Sequence, residues 1–121
     1  MRWLTSFTVS EKDFPEFEGQ LLHPVCSTYR LGQELEWAGR LLYLEKRPEG
    51  TDAIGTSLFI EHDAPAFAHE VVEIWGEVLE WDTRGNMTCK LEGRVAERLI
   101  CKGQTGQRVM PEERIRAIFR K

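Results

Sequence analysis

No stretch of this 121-residue chain stays apolar for long. Nothing approaches the roughly 18 residues needed to span a bilayer, and Met1-Arg-Trp-Leu-Thr-Ser-Phe-Thr-Val-Ser-Glu11 lacks the unbroken apolar core of a secretory signal. No membrane association is expected, and the cytoplasm is the expected location. Clustered positive charge is also missing: 16 basic residues against 20 acidic ones give a net charge of −4, without a Lys/Arg run. No nucleic-acid partner is expected, because such a footprint needs a basic patch. Cysteine is scarce. Cys26, Cys89 and Cys101 are odd in number and widely spaced, which disfavours a disulfide framework and fits reduced thiols acting as small apolar fillers. Metal-ligand spacing is lacking as well. The nearest match is His62-Asp63 with His69, and adjacent strand residues point to opposite faces. A glycine-rich phosphate cradle is absent too: Gly103-Gln-Thr-Gly106 is short and lies in a strand-like segment, where glycines more often mark a bulge. Neither metal nor cofactor is expected, and the chain carries no internal repeat and no low-complexity tract.

What remains is a length that fits one domain, residues 1–121, large enough for a core. Trp3 to Val9 alternates in the manner of a strand. Ser10 to Cys26 mixes acids with Phe14, Pro15, Phe17, Gly19, Leu21, Leu22 and Pro24; its apolar content predicts a lid packed on the body rather than a solvated linker. From Thr28 the period changes. Leu31, Leu35, Ala38 and Leu42 fall on one helical stripe, with Ser27 or Thr28 as the cap of a helix of about 18 residues. Pro48, Glu49 and Gly50 break it. Four strand-like runs follow, Ile54 to His62, Glu70 to Trp81, Met87 to Ala96 and Arg98 to Val109, suited to a meander, with turns at Thr83–Asn86 and Glu97. Pro111 to Phe119 begins like a helix, with proline first and acids in its first turn. The class is α+β. One helix against one antiparallel sheet leaves a face and edges uncovered, and Trp75 and Trp81 add apolar area, so a two-fold dimer is expected.

Three polar residues carry the functional signal. Thr28 opens the helix, Glu36 interrupts its apolar pattern eight residues later, and His62 closes a strand after a further 26. Each has an ordinary reading: a helix cap, a solvated glutamate, a structural histidine like His23 and His69. Glu36 is nevertheless flanked by Gly32 and Gly39 at −4 and +3, which lets something approach closely, and a carboxylate beside Trp37 in a partly dry cleft would have its ionised form disfavoured, as suits a general base or acid.

Leu35-Glu36-Trp37-Ala38-Gly39, Ile54-Gly55-Thr56 and Glu61-His62-Asp63-Ala64-Pro65 resemble the hotdog-fold thioesterases of the fluoroacetyl-CoA thioesterase type. The similarity runs from about Trp3 to Val109, and its most specific part is the joint spacing of Thr28, Glu36, Gly55 and His62. The resemblance implies a hotdog fold: a long central helix wrapped by an antiparallel sheet of about five strands. It also implies a homodimer or dimer of dimers, with continuous sheets and active sites at the subunit interface. The implied chemistry is acyl-CoA hydrolysis. In it Glu36 is nucleophile or general base, Thr28 orients it by a hydrogen bond, and His62 handles the proton for the leaving thiolate. Gly55 lets substrate lie against the backbone, and Arg108 is the nearest counterpart of a substrate-contacting arginine. The lid departs from the family pattern: Leu21-Leu-His-Pro-Val-Cys26 stands where the fluoroacetyl-selective enzyme crowds the acyl group with aromatics, so the acyl group is left open as short or medium. Two other readings stand beside hydrolysis, a non-catalytic acyl-CoA or small-ligand binder and a hotdog dehydratase or isomerase.

Overall fold

The computed structural model describes residues 1–120. In chain order it has β1 (Arg2–Thr8), a 3-10 turn (Glu11–Asp13), β2 (Glu16–Phe17), β3 (Gln20–Leu21), α1 (Thr28–Glu45), β4 (Thr51–His62), β5 (Val71–Trp81), β6 (Asn86–Val95), β7 (Arg98–Pro111) and α2 (Glu112–Phe119). The five long strands form one antiparallel sheet in the order β1-β5-β6-β7-β4, and α1 packs across one face of it.

α1 is capped by Ser27, whose hydroxyl accepts the Arg30 N–H at 2.9 Å, and ends before Pro48. The predicted stripe of Leu31, Leu35, Ala38 and Leu42 is buried against Val72, Ile74, Met87 and Leu91 of the sheet, forming the core. Tyr43 closes one end: its hydroxyl bonds Thr51 Oγ1 at 2.9 Å and its ring centre lies 6.2 Å from that of Trp81. The three cysteines are free and buried. Burial first, then the Asp13 charge, pushes the Cys26 thiol up to about 12; burial raises Cys101 to about 11 and also raises Cys89.

Several expectations change. Only β5, β6 and β7 form a meander. β4 instead lies at the far edge beside β7, because the 63–70 connection crosses the end of the sheet, held by the Asp63 and Ala64 N–H groups on Ile100 O and by His69 N–H on Val9 O. β4 also starts three residues early, at Thr51, in register with Pro111. The bulge expected near Gly103–Gly106 sits on the opposing strand, between Gly55 and Ser57. The lid packs on this chain's body only at its two ends, through Phe14 and through Val25 and Cys26, which reach Phe67 and Ala66. Glu18 and Gly19, both at positive φ, turn a tight β2–β3 ribbon that leaves Phe17, Leu21 and Leu22 exposed.

Candidate functional site

Thr28 is the first residue of α1 and His62 the last of β4, and the fold joins them: Thr28 Oγ1 lies 2.8 Å from His62 Nδ1. The other ring nitrogen, Nε2, is buried without a hydrogen-bond partner among the described residues. Thr28 thus bonds His62, where the resemblance had it bonding Glu36.

Glu36 stands two turns further along α1 at the junction of two cavities. The smaller, about 300 Å3, is bordered by Thr28, Tyr29, Gly32 and Ile60. The larger, about 840 Å3, is bordered by Trp37, Arg40, Gly55, Thr105 and Gln107. Gln33, Glu36 and Leu58 line both, so Glu36 borders each cavity. Its carboxylate is exposed, and none of the hydrogen bonds or ion pairs among the described residues involves it; the drying expected around it is not supplied by this chain alone.

The glycines beside Glu36 admit the chain's own strands. A Cβ at Gly39 would lie 2.5 Å from Thr105 Oγ1, and one at Gly32 would lie 3.2 Å from Leu58 Cδ2. Gln107 Nε2 then donates to Gly39 O at 2.9 Å, fixing the helix to β7. These glycines therefore seat α1 on the sheet. Gly55 differs. A Cβ there would meet nothing within 4 Å, and its φ is outside the left-handed region, so neither packing nor backbone conformation within this chain calls for glycine.

Arg108 is not brought to Glu36. Along β7, Thr105, Gln107 and Val109 are buried under α1, whereas Arg108 alternates onto the opposite face, between Ile54 and Asn86, with its Nε buried and unpartnered. Sequence reasoning missed Arg30 and Glu34. Arg30 bonds Asp13 and Glu34, and Glu34, a charged residue only 8% exposed, also accepts from Thr5 Oγ1. The one available signal was their i, i+4 spacing. Among the described residues, no group of three or more His, Cys, Asp or Glu could hold a metal ion, and no helix is long and apolar enough to cross a membrane.

No curated protein matches the chain. Among solved structures, a hypothetical protein of Thermus thermophilus described as a thioesterase superfamily member is 25% identical, with a TM-score of 0.93 over 99% of this chain and 88% of that one. A mutant of the fluoroacetyl-CoA-specific thioesterase FlK, in complex with fluoroacetate and CoA, is 19% identical with a TM-score of 0.81, covering 96% of this chain and 94% of its own. A hot-dog-like protein of Thermanaerovibrio acidaminovorans reaches 0.79 at 19% identity, over 97% and 89%. The fold is that of the hotdog thioesterases. The model of the family described as fluoroacetyl-CoA-specific thioesterase matches residues 9–113, most of the chain. By that match this chain, with its Thr28–His62 pair, belongs to the fluoroacetyl-CoA-specific thioesterase family of thioester hydrolases.

Proposed function

We propose that this protein hydrolyses a short or medium acyl-CoA thioester at a site made by Thr28, Glu36 and His62. The observation that carries the reading is the 2.8 Å Thr28–His62 bond at one end of a cavity that has an unpartnered carboxylate, Glu36, at its other end. A thioester seated at Glu36 has room on both sides, toward Thr28 and toward Gly55. Glu36 either attacks the carbonyl carbon, giving an anhydride that water then opens, or takes a proton from the water that attacks. In both routes the C–S bond breaks, the acyl group leaves as a carboxylic acid and the CoA thiolate takes up a proton. With His62 Nε2 walled off, proton exchange between His62 and the cavity passes through Thr28 Oγ1.

A homodimer or a dimer of dimers is part of the same reading. β4 is an edge strand whose residues Gly55 to Phe59 are exposed on both faces, and Trp37, beside Glu36, is 49% exposed. A second copy seated there would dry Glu36 and cover Trp37. Arg108, on the far face, then serves substrate only through the part of CoA that passes the β4 edge or through the partner's site. A cytoplasmic location accords with three unpaired thiols. The domain is read as spanning residues 1–121.

The second reading, a non-catalytic acyl-CoA binder, is favoured by two facts, the exposure of Glu36 and its lack of a bond to Thr28. Thr28→Val and His62→Gln separate the two. Hydrolysis predicts that both variants lose kcat by roughly a hundredfold or more, the usual worth of a positioned proton relay. Thermal stabilisation by acyl-CoA without thiol release, unchanged in both variants, is the outcome that selects the binder.

A further inference from the structure

The first turn of α1 carries Thr28 but has little packing of its own. Thr28 and Tyr29 are exposed, Tyr29 at 83%, and the first buried helix residue is Leu31. A polar cluster holds the turn instead. Arg30 Nε donates to Asp13 Oδ1 at 3.2 Å, Nη1 donates to Glu34 Oε1 at 2.9 Å, and the guanidinium carbon lies 4.0 Å from the centre of the Phe7 ring. Thr5 Oγ1 donates to the second Glu34 oxygen at 3.0 Å. Asp13 is fixed in its turn: Oδ2 accepts the Ser10 N–H at 2.8 Å, and its carbonyl accepts the N–H of Ser27, the helix cap, at 2.7 Å.

We propose that Arg30 is a positioning residue for the reaction, holding Thr28 Oγ1 against His62 by locking the start of α1 to β1 and to the neck of the lid. The proposal rests on the reading of Thr28 and His62 as the site. Arg30 clamps the cap from both sides, since its backbone N–H satisfies Ser27 Oγ while its guanidinium grips the residue that holds Ser27 N–H. The planar fork serves two carboxylates and an aromatic face at once, which a point charge cannot do. Without it, Asp13 and Glu34, whose side chains are 13% and 10% exposed, lose their shared cation, and the terminal turn is free to fray. Thr28 lies two residues from Arg30, and proton transfer is steep in distance, a displacement near 1 Å costing about a hundredfold.

The test is a double-mutant cycle in steady-state hydrolysis of an acyl-CoA that the unmodified protein turns over, measured well below each variant's Tm. Arg30→Gln is expected to lower kcat by about tenfold or more with KM within about twofold, Arg30→Lys to recover part of the loss, and Arg30→Gln to add nothing in a Thr28→Val background. An equal cost in both backgrounds, or an unchanged kcat, overturns the proposal. Asp13→Asn, which weakens the charge pairing and keeps the Ser27 bond, replaces Arg30→Gln in the same cycle should that variant not fold. Nitrogen NMR of the His62 ring needs no turnover. Arg30→Gln is expected to shift Nδ1 as Thr28→Val does, and a resonance unchanged in Arg30→Gln overturns the proposal even if the protein hydrolyses nothing.

Discussion

Two glycines, one in α1 and one in β4, make opposite predictions. At Gly39 a methyl group would lie 2.5 Å from Thr105 Oγ1 and 3.6 Å from Gln107 Nε2, in the contact that seats α1 on β7. Overpacking there costs about 1–3 kcal/mol, and alanine returns about 1 kcal/mol of helix propensity. Gly39→Ala is therefore expected to lose about 1 kcal/mol, or about 3–5 °C in Tm for a chain of this size. At Gly55 a methyl group meets nothing within 4 Å, and restricting the unfolded chain adds about 0.4–1 kcal/mol of stability. Gly55→Ala should hold or raise Tm. If substrate lies against Gly55, the same methyl costs about 1–3 kcal/mol of binding, a loss of roughly 5- to 150-fold in kcat/KM. Differential scanning fluorimetry and thiol-release kinetics on the two variants read both quantities. A Gly55→Ala variant with full kcat/KM refutes the placement of substrate on this wall, and one that melts as early as Gly39→Ala refutes the open space. Light scattering on the same sample separates a third case, loss of a dimer contact.

Charge in the larger cavity predicts acyl preference. Arg30 is already shared by Asp13 and Glu34, and Arg40 is paired with Asp52, which leaves Glu36 as the free charge. Succinyl-CoA is expected to be hydrolysed at least about tenfold more slowly than butyryl-CoA, and equal rates contradict this. The thiols predict chemical inertness. With Cys26 raised to about 12 from an ordinary 9.0, its thiolate at pH 8 is about a thousandfold scarcer than that of a free cysteine, so iodoacetamide should leave the native protein unlabelled. The same shift makes stability fall as pH rises from about 9 toward about 12, because the unfolded chain releases the proton first. Urea midpoints flat across pH 9 to 11 contradict that.

Local pattern made much of this fold legible. The stripe Leu31, Leu35, Ala38 and Leu42 gave α1 because burial on one helix face repeats in the sequence itself. β4 at the far edge was not legible: which strand neighbours which is set by the 63–70 crossing, a non-local event whose hydrogen bonds leave no periodic trace. The β2–β3 ribbon has strands of two residues, too short for an alternation signal. For the candidate site, resemblance supplied Thr28, Glu36, Gly55 and His62, and the structure adds a Thr28–His62 bond that the resemblance did not name. Gly32 and Gly39 read correctly as points of close approach, but the visitors are Leu58 and Thr105 of the same chain. Arg30 escaped because Phe7 and Asp13 converge on it, and Thr5 on its partner Glu34, only after folding.

Thiol release from acyl-CoA esters of graded chain length, by the unmodified protein and by Glu36→Ala in parallel, tests the proposed chemistry most directly. Hydrolysis through Glu36 predicts turnover of at least one short or medium ester and a fall of roughly a hundredfold or more in the variant. No thiol released from any ester, or a Glu36→Ala variant as fast as its parent, contradicts it.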